Sequence, residues 1–421
     1  MLRNFRLARR NPASGLASAF AMAISLAGGA AVITGAVATS ASAQEVSKAF
    51  REAYVPVQEV VNAPDGNIAS VESQFPALVA LAQNPTEKFA IGNALLIAGN
   101  KLNNAKYQRQ GLELQLASGQ VPAENIGQYQ WFVGNLAFTQ NDYAAARTAL
   151  KAAMDAGYTA DDPLGLLVET YYAQDDAQGG IDYVLNVAKQ RQAAGTAIAE
   201  THLLRALQTA YDSGLQDKAM DVSQMLLDSY ASETNWRNSL QVLYALAEFD
   251  EQAELDLLRL MRATNSMSQR NEYSAYIANA DPRVMANEVE GVLNEAVAAG
   301  VFTTSDPFYV DVKSVVDGRK DKDRAEVAGV KSEANSDSTG ESALIAGDLL
   351  YSLDDFAGAE EYYAMANAKG GVDGDRALTR VGIAQVRQGK YAEAQQTFSQ
   401  VSGQRAPVAK MWAIYADKQA G

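Results

Sequence analysis

The chain contains no cysteine and a single histidine, His202. Thiol catalysis, zinc fingers and iron–sulfur clusters need ligands that are therefore missing, and a lipoprotein signal is excluded for the same reason. Positive charge is also short, with Lys+Arg 35 against Asp+Glu 50 and a formal net charge of -15. A chain of that sign repels phosphate backbones, which argues against nucleic-acid binding. Alternating β runs are absent. The nearest, Pro307 to Val316, sets Phe308, Val312, Val315 and Val316 on one helix face equally well. No G-x-S-x-G, phosphate loop or dinucleotide fingerprint occurs. The acid pairs Asp161/Asp162, Asp175/Asp176, Asp354/Asp355 and Glu360/Glu361 fall at turns or point apart on helices. A glycosidase needs two carboxylates facing each other across a cleft. Asp317, Asp321 and Asp323 miss the spacing of a calcium loop and stand among Lys320, Lys322 and Arg324. His202 lacks ligand companions and reads as a surface residue at a helix start. No catalytic, cofactor-binding or metal-ligating residue is therefore expected.

What the chain does have is a hydrophobic fraction of 48% over 421 residues, enough to bury a large core. Its N-terminus reads as a separate object. Arg3, Arg6, Arg9 and Arg10 precede an uncharged stretch from Leu16 to Thr39, and Ala41 and Ala43 are the small residues of a cleavage site. Cleavage after Ala43 takes the net charge from -15 to -19, because the lost segment holds four arginines and no acid. An uncleaved anchor is the alternative, since the stretch is long enough to span a bilayer. No later stretch is apolar enough to cross one. Residues 1–43 are read as a signal peptide, 44–84 as an N-terminal helical cap and 85–421 as the main body.

The body repeats. Val386 to Phe398, "VRQGKYAEAQQTF", has counterparts in Phe138 to Leu150, "FTQNDYAAARTAL", and Tyr351 to Tyr363, "YSLDDFAGAEEYY". A small residue recurs as Ala146, Gly180, Ala219, Ala253, Ala286, Ala325, Ala359 and Ala394, at intervals of 34, 39, 34, 33, 39, 34 and 35. That is the period of a two-helix solenoid unit, with the small side chain where the two helices cross most tightly. The two intervals of 39 predict insertions near "RQAAGTAIAE" and "AAGVFTTSD". Asp162-Pro163, Asp281-Pro282 and Asp306-Pro307 each read as a helix start.

The pattern resembles the tetratricopeptide repeat. Val133-Gly134, Asn141, Tyr143, Ala146, Leu150 and Ala153 match its motif in one unit. Ala346-Gly347, Phe356, Ala359, Tyr363 and Ala366 match in a second, and Val381-Gly382, Gly389, Tyr391, Ala394 and Phe398 in a third. These units lie near 127–160, 340–373 and 375–408, and the likeness extends loosely from Gly127 to Pro407. Gly329 departs from the motif, standing where an aromatic is expected. A further unit is expected over Phe89 to Ser118. The resemblance implies an all-α, right-handed superhelical solenoid of helix-turn-helix repeats, closed by a capping helix over Val408 to Lys418. It also implies a concave groove lined by first-helix side chains: Trp131, Asn135, Phe138, Glu169, Tyr172, Gln208, Tyr211, Asp348 and Tyr351. A one-residue shift in register would make these core residues, and Tyr171 and Tyr172 compete for one position.

These readings together predict a periplasmic, non-enzymatic scaffold in envelope assembly, secretion or polysaccharide export. Its partner would be a protein or peptide with a basic segment, without nucleic acid or cofactor. Membrane contact is expected only if the N-terminal segment is retained. A solenoid enzyme acting on cell-wall glycan and an inner-membrane-anchored scaffold are the rivals.

Overall fold

The computed structural model describes residues 46–421, which are 77% helical, with no strand among them. The expected signal segment lies outside the described residues. The described residues divide into two compact units, with the boundary between Gly180 and Ile181.

The first unit begins with α1 (Lys48–Asn62), α2 (Phe75–Leu81) and the hairpin α3 (Pro85–Leu102) and α4 (Ala105–Ala117). It continues with α5 (Ala123–Thr139), α6 (Tyr143–Asp155), α7 (Pro163–Tyr172) and the first turn of α8 (Ala177–Ala193). Pro56 lies inside α1 without ending it. Phe50, Tyr54, Val57 and Val61 form one buried stripe along that helix, and their burial outweighs the hydrogen bond proline removes. Glu87 ties the N-terminal cap to α3. Its carboxylate completes a capping box with Asn84 and accepts from Ser47 N at 2.8 Å.

The second unit holds the remainder of α8, then α9 (Glu200–Asp212), α10 (Gln216–Tyr230), α11 (Glu233–Leu246), α12 (Glu251–Ala263), α13 (Arg270–Ala280) and α14 (Ala286–Ala298). A 30-residue helix, α15 (Pro307–Ser336), follows, then α16 (Glu341–Ser352), α17 (Phe356–Lys369), α18 (Gly374–Arg387), α19 (Tyr391–Phe398) and α20 (Ala406–Ala420).

One turn design recurs at a fixed distance from the small residues. Five positions before Ala146, Gly180, Ala219, Ala359 and Ala394 stand Asn141, Asp175, Gly214, Asp354 and Gly389, with φ of 60°, 58°, 66°, 61° and 75°. Left-handed backbone at this point ends the first helix, and the next N–H closes a Schellman bond. Asp142 N donates to Ala137 O at 2.9 Å, Asp355 N to Leu350 O at 2.9 Å and Lys390 N to Gln385 O at 2.9 Å. Asp142, Asp176 and Asp355 then cap the second helix through their side chains.

The helix crossings follow the sequence pattern as well. A β-carbon added at Gly134 would stand 2.6 Å from Leu150 Cγ. At Gly347 it would meet the Tyr363 ring at 2.4 Å, and at Gly382 the Phe398 ring at 2.4 Å. The first helix must therefore offer a glycine so that the large side chain of the second can lie flat upon it. The expected unit over Phe89 to Ser118 is the α3–α4 hairpin, whose backbones meet at Gly92 and Gly111.

Two expectations fail. Seven of the eight small marker residues are buried, but Ala325 is exposed, as is Gly329. Both lie inside α15, where the repeat period demands a turn. Lys313 pairs with Asp317 and Arg319 with Asp323 at helical spacing across that point, so the helix runs on. Meanwhile α14 packs directly on α16, and Glu288 N donates to Ser352 Oγ at 3.0 Å. The α15 helix therefore packs between α14 and α16, with Val312, Val316 and Ala334 buried, but carries no turn where the period predicts one. The second failure concerns Asp281-Pro282, which does not start a helix. Asp281 ends α13 with φ 52°, and α14 begins only at Ala286. Asp162 and Asp306 do cap their helices, accepting from Gly165 N and Phe308 N at 3.0 Å each.

Candidate functional site

The nine residues expected along a groove fall into different settings. In the first unit Trp131 is buried, its indole N–H donating to Asp161 O at 3.2 Å. Asn135 is 1% exposed and its Oδ1 meets no hydrogen-bond donor. Phe138, Glu169 and Tyr172 are half-buried. The Tyr172 ring lies against Gly180, where an added β-carbon would be 2.3 Å from it, so it also fills the tight helix crossing. Its neighbour Tyr171 is equally half-buried, and neither tyrosine of the pair is fully sequestered.

Around Phe138 the structure assembles a strip that the sequence pattern does not mark. The Phe138 and Tyr143 rings meet edge-to-face with centroids 5.6 Å apart. One turn along α6, the Arg147 guanidinium covers the Tyr171 ring at 4.6 Å and donates to Gln174 Oε1 at 2.7 Å. On the other side Arg109 reaches Asp142 Oδ2 at 2.8 Å and Gln140 Oε1 at 3.1 Å. Phe138, Tyr143, Arg147, Tyr171 and Arg109 all remain half-exposed. Aromatic and arginine side chains presented together in this way supply contact area and directed donors. The i, i+4 pair of Tyr143 and Arg147 on α6 was the available sequence signal for this strip.

In the second unit Gln208 and Tyr211 are half-buried on α9, and Gln208 Nε2 donates to Asp212 Oδ1 at 2.9 Å. Asp348 and Tyr351 do not line an open groove. Both are buried: Asp348 is bonded by Tyr363 and Arg380, and Tyr351 packs on Phe356 and beneath Arg259. Arg380 of α18 donates to both Asp348 oxygens at 2.5 and 2.7 Å, to Asp256 Oδ1 at 3.3 Å and to Gln252 Oε1 at 2.6 Å. Arg405 donates to Asp256 Oδ2 at 2.9 Å and to Asp373 Oδ2 at 3.0 Å. Arg259 grips Glu288 with two bonds of 2.8 Å, and its guanidinium lies 4.3 Å from the Tyr351 ring. Tyr363 and Tyr276 add hydroxyl donors to Asp348 and Glu288 at 2.7 and 2.6 Å.

Three buried cations, Arg259, Arg380 and Arg405, thus balance three buried anions, Asp256, Glu288 and Asp348. Burial pushes the Glu288 carboxyl up, but Arg259 outweighs it and holds the group below its ordinary value. Arg376 adds a fourth guanidinium at the edge of this cluster, 3.3 Å from Asp348 Oδ2, with its buried Nε meeting no acceptor.

Among the described residues no group of acids or histidine could hold a metal ion, and no helix is long and apolar enough to cross a membrane. No family model matches the sequence, and a search of curated proteins returns no match. Solved structures that resemble the chain include the TPR2AB-domain:pHSP90 complex of yeast Sti1. It is 15% identical, with 70% of this chain and 97% of that one covered and a TM-score of 0.22. A circular tandem repeat protein with novel repeat topology and enhanced subunit contact surfaces is 12% identical, covers 88% and 96%, and has a TM-score of 0.13. The TPR-like helical-repeat fold stands on the turn and crossing geometry described above.

Proposed function

We propose that this chain is an exported, non-enzymatic helical-repeat scaffold that binds another protein in the cell envelope, in assembly, secretion or polysaccharide export. The observation that carries this reading is the half-exposed strip of Phe138, Tyr143, Arg147 and Tyr171 on the first unit. In the second unit the corresponding Asp348 and Tyr351 are buried, while Gln208 and Tyr211 stay half-buried like the first-unit strip. The overall acidic balance favours a partner with a basic segment. Export rests on the arginine-led N-terminal segment and its Ala-x-Ala ending.

The test is co-purification from an envelope fraction, with wild type beside a Phe138→Ser/Arg147→Ser double variant. A partner retained by the wild type and lost by the variant, with helical circular dichroism unchanged in both, supports the reading. Equal capture by both proteins sinks it.

A further inference from the structure

Repeat arrays of stacked hairpins are quasi-one-dimensional: each unit touches its neighbours, and the ends fray independently. The second unit departs from that rule. The terminal helix α20 packs on α19, as order in the chain requires, but also on α10 and α12. Trp412 is fully buried and donates to Asp256 O at 2.9 Å across 156 residues of chain. Tyr415 meets the Trp236 ring of α11 at 5.9 Å. Lys418 donates to Asp228 O of α10 at 3.3 Å across 190 residues. Arg405, just before α20, reaches Asp250 and Asp256 at the start of α12, and Arg380 reaches Asp256 from α18.

We infer that α20 is a strap that closes the second unit, so that residues 181–421 open in one all-or-none step and do not fray from the C-terminus. The reason is mutual dependence. Removing α20 from its seat exposes Trp412, Met411 and Val408, and it also strips Asp256 of Arg405. Arg259 and Arg380 both bond Oδ1, so this strands Asp256 Oδ2, the acceptor of Arg405, in an interior where an unpaired polar atom is costly. Loss of the last helix is therefore felt at α12, about 150 residues upstream. Within the first unit, by contrast, α3 to α6 pack as neighbouring hairpins. There the ordinary one-dimensional behaviour is expected.

Native-state hydrogen exchange of the wild-type chain in rising denaturant tests this directly. Amides of α12, α18 and α20 should converge on one opening transition at one denaturant concentration, whereas α3 to α6 should show separate, smaller openings. An Arg405→Gln variant should raise exchange in α12 and α20 by the same factor, roughly a hundredfold if a buried ion pair is lost. The inference is overturned if α19 and α20 exchange through an opening of their own while α12 stays protected, or if Arg405→Gln affects α20 alone. The wild-type measurement stands even if the variant does not fold.

Discussion

Arg380 and Asp256 are separated by 124 residues, yet the guanidinium Nε and the carboxylate Oδ1 lie 3.3 Å apart with both side chains fully buried. One helix hairpin late in the chain is thereby joined to another laid down near its middle. Asp256 also receives Arg259 from its own helix and Arg405 from the entry to α20, so one carboxylate organises three cations.

Removal of that carboxylate should be severe. Asp256→Ala leaves three buried guanidinium groups short of a partner, at an expected cost of about 3–5 kcal/mol. Chemical denaturation of the purified variant checks this. A loss below about 1 kcal/mol, the size of an exposed pair, would mean that the network is solvated.

Acid should loosen the second unit. The Glu288 carboxyl titrates below its ordinary value of 4.5 in the folded chain, chiefly because Arg259 overcomes the effect of burial. A depressed folded pKa contributes stability that is present above the unfolded value and lost as pH falls through the folded one. Melting midpoints should therefore hold near neutrality and fall below about pH 4.5. Glu288→Gln, already less stable at pH 7, should lose less over the same acid interval.

Asp323 should behave in the opposite sense. Burial raises its pKa despite the 2.8 Å pair with Arg319, so its ionised form works against folding at neutral pH. Asp323→Asn should raise the melting temperature at pH 7. That gain should shrink as pH falls through the raised folded pKa, where the wild-type group becomes neutral as well. A lower melting temperature for Asp323→Asn would instead assign the ionised carboxylate a net stabilising role.

Glycines of the same chain should divide by position. Gly382→Ala drives a β-carbon into the Phe398 ring and should cost about 1–3 kcal/mol. Gly329→Ala meets nothing within 4 Å on the exposed side of α15 and should gain roughly 0.5–1 kcal/mol from helix propensity. Thermal melts of the two variants, compared with wild type, measure both effects.

Much of this architecture was legible because it is local. Ala394, Gly389 and Phe398 fix a turn and a crossing within ten residues of chain, and each carries a steric signature. The second-unit closure was not legible for a corresponding reason. Asp256, Arg380 and Arg405 lie in ordinary helical contexts, and their meeting depends on small rotations accumulated over several hairpins. No spacing in the chain records those rotations. Asp348 and Tyr351 shared the repeat position of accessible residues, but Tyr363, Arg380 and Phe356 of the following helices cover them. Ala325 misled for a third reason: a small residue recurs at the right period inside a helix that ion pairs keep unbroken. The strip of Phe138, Tyr143, Arg147 and Tyr171 joins residues of three helices, so a motif drawn one helix at a time splits it.

Ala325 and Gly329 both face solvent on α15, and a β-carbon added at Gly329 meets nothing within 4 Å. Ala325 and Gly329 therefore offer attachment points for a fluorophore or affinity handle. A probe there would report on the protein's surroundings with the helix crossings left untouched.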